Sequence, residues 1–171
     1  MTLAEPCIRR LAQSDSIEAL TELIHRAYAP LGARGLNFTA VDQSTEVTRE
    51  RIGWGTCFVA TLGSDLVGTI VVRATHTNSV CPDFNKPGVA TVHQFAVAPE
   101  LQGAGIGSAL LSAAEAWARE SGFAELLLDT AQPVTELIEY YKRHGYNQVT
   151  TVQWPGKTYR SVVMGKAVSG Q

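Results

Sequence analysis

A glycine-rich segment with the sequence VAPELQGAGIGS occupies residues 97–108. It continues an apolar, β-branched run over residues 89–98 and precedes a segment whose apolar residues recur at helical spacing. This order predicts a strand, a tight turn and a helix. The first turn of a helix has unpaired, partly positive backbone N–H groups, which attract anions. Because glycines let a phosphate reach those amides, the segment predicts a site for a phosphorylated ligand.

Two other phosphate-binding glycine loops fit this segment less well. A P-loop requires Gly-Lys-Ser/Thr at its end, and within this segment no glycine is followed by Lys and then Ser or Thr. A dinucleotide fingerprint requires Gly-x-Gly-x-x-Gly or Ala, and after Gly103 and Gly105 the last position is Ser108. The segment also lies past the middle of the chain. A turn whose glycines only allow close packing of helix on strand is the alternative without a ligand.

The composition is that of an ordinary globular domain. Of the 171 residues, 45% are hydrophobic and 18% charged, which predicts a single domain over residues 1–171 with a sizeable core. A net charge of −2 without basic runs argues against nucleic-acid binding. Three widely spaced cysteines and no metal-ligand spacing predict neither a disulfide framework nor a metal site. The chain shows no apolar run typical of a signal peptide or a membrane span, so we expect a cytoplasmic protein with no membrane partner.

Hydrophobic periodicity and turn residues predict a mixed α/β (α+β) fold with helices interspersed among strands. In chain order, the predicted elements are a strand at 7–11, helices at 15–31 and 44–52, a hairpin of strands 56–62 and 66–74, a strand at 89–98, a helix that ends at Gly122, a strand at 124–129, a helix over 133–145 and a closing hairpin of strands 146–154 and 158–166.

The pattern Gln-x-x-Gly-x-Gly at residues 102–107, preceded by Pro-Glu-Leu, resembles the acetyl-CoA signature of the GNAT acetyltransferase superfamily. The element order is also similar to the GNAT fold, a mixed and mostly antiparallel central sheet flanked by helices. The resemblance implies acetyl-CoA as co-substrate, with its pyrophosphate on the turn amides and its pantetheine arm along the preceding strand. The N–H of Phe95 would then hold the thioester carbonyl. The implied cofactor-binding residues are Phe95, Ala96, Val97, Gln102, Gly103, Ala104, Gly105, Ile106, Gly107 and Ser108.

Acetyl transfer to an amine needs a proton acceptor and a proton donor, and the resemblance implies His93 and Tyr141 for these roles. His93 shares a strand face with Phe95, and imidazole titrates near neutral pH. Tyr141 lies in YYKRHGY (140–146), similar to the superfamily's Tyr-x-Lys/Arg-x-Gly segment, and phenol stays protonated at pH 7. The alternatives are a strand histidine with only local hydrogen bonds and a tyrosine of the core. Tyr140 is the residue before Tyr141 in the predicted helix, so its side chain is expected to point in a different direction from that of Tyr141.

Several further site residues stay open at this point. Gln94, Glu46 and Asp83 are other candidates to accept a proton or to organise water. Many GNAT relatives carry an asparagine that contacts the cofactor before the tyrosine, where this chain has Val134. The candidates to replace that contact are Gln132 and Thr130.

The first helices and the closing hairpin shape the acceptor pocket in this superfamily. Here these regions contain aromatic and polar side chains that could line a pocket for a small amine or simply belong to the core. They are Tyr28, Asn37, Phe38, Trp54, Trp154 and Tyr159. Residues 35–39 join the two predicted helices and are a candidate lid.

These observations predict an acetyl-CoA-dependent N-acetyltransferase. The amine of a small molecule or of a protein would attack the thioester directly in a ternary complex, since Cys57 and Cys81 have no base nearby in the sequence. We expect a monomer or homodimer that uses no metal. A non-catalytic acyl-CoA-binding or sensor domain is the first alternative, and a nucleotide-binding oxidoreductase is the second.

Overall fold

The computed structural model describes residues 4–169, so residues 1–3 and 170–171 of the predicted domain lie outside the described part of the chain. Its seven strands and five α-helices follow in the order β1-α1-α2-α3-β2-β3-β4-α4-β5-α5-β6-β7. The strands are β1 (Cys7–Arg10), β2 (Thr56–Leu62), β3 (Asp65–Arg73), β4 (Val89–Val97), β5 (Glu125–Ala131), β6 (Asn147–Val152) and β7 (Ser161–Ala167). The helices are α1 (Ile17–Ala33), α2 (Thr39–Asp42), α3 (Thr45–Ile52), α4 (Ile106–Glu120) and α5 (Thr135–Arg143).

The strands form one sheet in the order β1-β2-β3-β4-β5-β7-β6. All neighbouring pairs are antiparallel except β4 and β5, which confirms the predicted mixed, mostly antiparallel sheet. The parallel pairing covers only Val89–Thr91 against Glu125–Leu127. Beyond these three pairs, β4 and β5 are no longer partners, and the sheet opens between them.

A β-bulge in β4 lies at the edge of this opening. In the pairing of β3 with β4, Thr69 faces Ala96 and Val71 faces His93, so that one residue of β3 lies opposite both Gln94 and Phe95. Gln94 takes a φ of +52°, a conformation uncommon for residues other than glycine. Because a bulge bends its strand and changes where side chains point, it turns this part of β4 toward the opening.

Short polar residues begin the helices where the sequence predicts them. The Ser16 hydroxyl caps α1 by accepting a hydrogen bond from Ala19 N at 3.0 Å, and Ser44 caps α3 through Val47 N at 3.2 Å. Helix α1 continues two residues beyond its predicted end, and Pro30 lies inside it. The four-residue helix α2, which begins at the last residue of the candidate lid, is the one α-helix of the described chain that the sequence did not predict.

Directly after the glycine-rich turn, the first residues of α4 pack against the sheet. A Cβ added to Gly68 of β3 would lie 2.8 Å from Leu110 Cδ1 and 3.2 Å from Ile106 Cγ2. Glycine at this position therefore allows the first turns of α4 to contact β3 closely. Ile106 and Leu110 are fully buried in the main core, so the start of this helix is firmly placed. Among residues 4–169, no helix combines the length and apolar character needed to cross a membrane.

Candidate active site

Two adjacent cavities lie where β4 and β5 diverge. The larger, of about 550 Å³, is called the chamber and lies among α1, α3, the bulge of β4, the end of β5 and the loop before β7. The smaller, of about 410 Å³, is called the groove and runs between α1, the end of β4, the glycine-rich turn and α5. Four residues line both cavities and mark their junction. They are Tyr28, Phe95, Leu137 and Tyr141.

The junction is held by a contact between α1 and the bulged strand. The Tyr28 hydroxyl donates a hydrogen bond to the Phe95 carbonyl oxygen at 2.7 Å. Burial raises the pKa of Tyr28 to about 12, so the hydroxyl keeps its proton and remains a donor. This bond fixes the backbone of Phe95, whose N–H is the predicted partner of the thioester carbonyl.

The start of α4 presents free backbone donors. The first hydrogen bond of the helix runs from Ala109 N to Gly105 O at 3.1 Å. The amides of Ile106, Gly107 and Ser108 therefore have no partner within the described chain, as expected for the first turn of a helix. Glycines shape this end: Gly105 caps the helix with a φ of +90°. A Cβ on Gly107 would lie 2.5 Å from Tyr140 Oη.

The structure brings together six of the ten predicted cofactor-binding residues in the groove. They are Phe95, Ala96, Val97, Gln102, Gly103 and Gly107. The other four lie on the same turn and helix start without lining the groove. Ala104 and Gly105 are exposed, Ile106 packs in the core, and Ser108 Oγ lies 2.6 Å from His144 Nε2.

Gln102 has a structural role in the turn. Its side-chain amide donates a hydrogen bond to the Val97 carbonyl at 3.2 Å, which links the two ends of the turn. Neither Thr130 nor Gln132 lines the groove, and Thr130 lines the chamber instead. Val134 itself is fully buried.

Tyr141 lies at the junction of chamber and groove. Its ring is 8% exposed and packs against Phe95 with the ring centroids 6.4 Å apart. Burial raises the pKa of Tyr141 well above its ordinary value, and its hydroxyl makes no hydrogen bond to a described residue. A protonated phenol is thus available to a bound molecule. The neighbouring Tyr140, which we expected to point elsewhere, lines the groove as well.

His93 lies in the chamber, with its Nε2 2.7 Å from Thr91 Oγ1. The expectation that this imidazole titrates near neutral pH is wrong for the folded protein. Burial, and secondarily the positive charges of Arg51 and Arg73, lower the pKa of His93 to about 3. The ring is therefore neutral at physiological pH and can accept a hydrogen bond, but it is a weak base in the empty chamber.

The predicted acceptor residues mostly converge on the chamber. Tyr28, Phe38, Trp54, Trp154 and Tyr159 all line it. The remaining residue of that prediction has another role: Asn37 Nδ2 donates to Gly156 O and Asn37 Oδ1 accepts from Thr158 N, each at 2.8 Å. The candidate lid at residues 35–39 is therefore tied to the loop before β7, which covers the same cavity.

Five charged residues of the chamber were not predicted from the sequence. They are Glu50, Arg51, Arg73, Asp129 and Lys157. Glu50 and Arg51 are neighbours in α3, the other three come from separate parts of the chain, and no local motif connects them. Asp129 accepts a hydrogen bond from Trp154 Nε1 at 2.9 Å, and burial raises the pKa of its carboxyl.

The other candidate proton acceptors differ in their placement. Gln94 lines the chamber, but its Oε1 accepts a hydrogen bond from Gln43 Nε2 at 2.8 Å. Glu46 is exposed on α3, and Asp83 pairs with Lys86 in a short loop. Neither carboxylate lines the chamber. Among residues 4–169, no group of three or more potential ligands is arranged to hold a metal ion.

Comparison with known proteins agrees with this geometry. The sequence model of the acetyltransferase (GNAT) family matches residues 18–146, a span that includes the bulged strand, the glycine-rich turn, α4 and α5. The chain belongs to the GNAT acetyltransferase family. It is 31% identical over 163 residues to the S-(2-succino)cysteine N-acetyltransferase of Bacillus subtilis (strain 168). The aligned region covers 92% of this chain and 93% of that protein. The protein is therefore an acetyl-CoA-dependent N-acetyltransferase.

Solved GNAT structures share the fold of this acetyltransferase. The ribosomal-protein-S18-alanine N-acetyltransferase of Escherichia coli superposes with a TM-score of 0.74 at 20% identity, over 98% of this chain and 96% of that one. The PaiA N-acetyltransferase of Thermoplasma acidophilum, solved in complex with coenzyme A, has a TM-score of 0.74 at 18% identity. The superposition covers 95% of this chain and 99% of that one. At these identities the likeness establishes the fold.

Proposed function

We propose that this acetyltransferase moves the acetyl group of acetyl-CoA to the primary amine of a small acceptor by direct attack in a ternary complex. The observation that carries the proposal is the junction of the two cavities at Phe95 and Tyr141. A pantetheine arm in the groove and an amine in the chamber would meet there. The name of the Bacillus subtilis relative suggests that the acceptor is an amino acid rather than a protein.

The groove supplies positive charge where the diphosphate of coenzyme A would lie. The unpaired amides at the start of α4 and the dipole of this helix both favour an anion. Arg143, in the last turn of α5, lines the same groove and has no carboxylate partner within the described chain. Its charge is therefore available to a phosphate.

In the proposed reaction, the amine nitrogen attacks the thioester carbonyl carbon, and the N–C bond forms as the C–S bond breaks. The N–H of Phe95 stabilises the negative charge on the carbonyl oxygen during this step. Tyr141 gives its phenolic proton to the departing sulfur. The raised pKa of Tyr141 ensures that the proton is present before the thiolate forms.

Two chamber residues can take the proton that the amine loses. His93 is the acceptor that the resemblance implies, and Asp129 is a second one that the structure adds. Burial lowers the pKa of His93 to about 3 and raises the pKa of Asp129 above its ordinary value, so burial removes the advantage that an imidazole usually has over a carboxylate as a base. The pH–rate profiles of His93→Gln and Asp129→Asn separate them, because only loss of the true base removes the limb on which rate rises with pH.

Ligand-dependent melting tests the proposed function against its alternatives. A ligand at 100 times its Kd stabilises the folded state by about 2.7 kcal/mol. We expect acetyl-CoA and CoA to raise the melting temperature and NAD to leave it unchanged. Thiol release with a panel of amino acids then distinguishes an enzyme from an acyl-CoA sensor. Stabilisation by acetyl-CoA without thiol release for any amine would favour the sensor, and stabilisation by NAD alone would favour the oxidoreductase.

A further inference from the structure

Two arginines flank one tryptophan in the wall of the chamber. The Arg73 guanidinium lies 4.9 Å from the centre of the Trp54 ring, and the Arg51 guanidinium lies 5.6 Å from it. The three residues come from β3, α3 and the turn after α3, and all three line the chamber. Stacking against an indole orients a guanidinium while leaving its N–H groups free for an anion.

Neither arginine has a carboxylate partner within the described chain. Arg51 donates one hydrogen bond, from Nη1 to Gln43 Oε1 at 2.8 Å, and its buried Nε has no partner. The guanidinium group of Arg73 makes no hydrogen bond to a described residue. Partial burial is the main cause that lowers the pKa of both guanidinium groups, and Asp129 acts on Arg51 in the opposite direction. Because each charge is partly removed from water and has no ion-pair partner among the described residues, the pair is suited to bind an anion.

The other charges of the chamber do not neutralise the pair. Asp129 is held by Trp154, and Glu50 is exposed on α3; neither lies within ion-pair distance of a described cation. Lys157 adds a third positive charge, with its Nζ 2.8 Å from Asn37 O and 3.0 Å from Thr39 Oγ1. The chamber thus favours negatively charged ligands and repels polyamines.

We propose that Arg51 and Arg73 bind a carboxylate on the side chain of an amino-acid acceptor, so that the substrate is an amino acid whose side chain carries an acidic group. A guanidinium fork matches the two oxygens of a carboxylate, and the bound anion supplies the charge that the chamber lacks. This inference rests on the proposed function, because it assigns the chamber to the acceptor.

A matched pair of acceptors tests the inference directly. S-carboxymethylcysteine and S-carbamoylmethylcysteine have nearly the same shape and differ in one carboxylate. We expect kcat/KM of the wild-type enzyme to favour the carboxylate by about 10- to 100-fold, the range for a hydrogen bond to a charged group. Arg73→Gln should lower this preference by about tenfold. Arg49→Gln, on the exposed side of α3 and outside the chamber, is the control and should keep it.

Calorimetric titration with succinate and with succinamide provides a readout that does not need catalysis. We expect saturable binding of succinate to the wild-type protein, weakened about tenfold in Arg73→Gln and absent with succinamide. Equal acetylation of the two cysteine derivatives would overturn the inference and leave the proposed function intact. If neither derivative is acetylated and no amino acid of the panel gives thiol release, but succinate binds through Arg73, the proposed function fails and the anion site stands. If neither is acetylated and succinate does not bind, the inference is overturned.

Discussion

At the scale of single residues, burial sets the chemistry of the candidate site. The same loss of water that keeps Tyr141 protonated makes the imidazole of His93 a weak base. The sequence could place both residues, since each lies in or beside a recognisable motif. It could not reveal their pKa shifts, because burial, which is the main cause of both shifts, arises only in the folded chain. The charged residues of the chamber could not be predicted either, because they come together only in the folded chain.

The phenol of Tyr141 gives the first prediction. Tyr141→Phe keeps the ring in place but removes the proton for the departing sulfur, so we expect kcat to fall by about 100-fold. The KM for acetyl-CoA should stay within about threefold, because the groove remains. Tyr146→Phe is the matched control: this buried neighbour donates its hydrogen bond to Glu115, at 3.0 Å, and its loss should reduce stability without slowing turnover. Unchanged turnover in Tyr141→Phe would exclude this residue as the proton donor.

The buried imidazole of His93 gives a second prediction, on stability. Its pKa is about 3 in the folded state against about 6.5 unfolded, so between these values the unfolded chain binds a proton that the folded chain does not. The resulting contribution to stability is full above about pH 6.5 and falls by about 1.4 kcal/mol for each pH unit below it. Urea unfolding at several pH values should show a flatter pH dependence for His93→Gln. Identical slopes for the two proteins would contradict the buried, neutral imidazole.

At the scale of elements, the strand, turn and helix around residues 97–108 follow from local signals. The β-branched run, the proline and the alternating glycines each act on the backbone nearby, so the predicted strand, turn and helix α4 are confirmed. The bulge at Gln94 carries no such signal. Its position depends on the pairing with β3 and on the buried hydrogen bond from Gln43, which are distant in sequence.

The turn gives a third prediction. Gly105 and Gly63 both have a positive φ and open space at the Cβ position. Alanine at either position should cost about 1–2 kcal/mol of stability, the penalty for a left-handed conformation. Only Gly105→Ala alters the start of α4, so we expect its KM for acetyl-CoA alone to rise, by about tenfold, which corresponds to 1.4 kcal/mol. Equal KM values for the two variants in steady-state assays would show that this turn does not bind the cofactor.

At the scale of the whole molecule, the separation of β4 from β5 places the chamber next to the groove. Each space is built from distant parts of the chain: α1, β4 and α5 contribute to both. The order of the elements and the mostly antiparallel sheet were predictable, because they follow from periodicity and from the resemblance to GNAT proteins. The shape of the chamber was not, since it depends on how far β4 and β5 stay paired.

This arrangement predicts sequential kinetics. Cys57 and Cys81 are buried, and burial raises the pKa of Cys57 to about 11, so neither thiol is suited to carry the acetyl group. Initial rates measured against acetyl-CoA at several acceptor concentrations should give intersecting double-reciprocal lines. Parallel lines, together with an acetylated enzyme seen by mass spectrometry, would instead indicate a covalent intermediate.

A crystal structure of this protein with coenzyme A tests most directly whether the start of α4 binds the diphosphate. We predict that the diphosphate accepts hydrogen bonds from the amides of Ile106, Gly107 and Ser108, and that the sulfur lies beside the Tyr141 hydroxyl. A cofactor whose diphosphate lies away from the start of α4, or whose sulfur lies outside the junction of groove and chamber, would contradict this prediction.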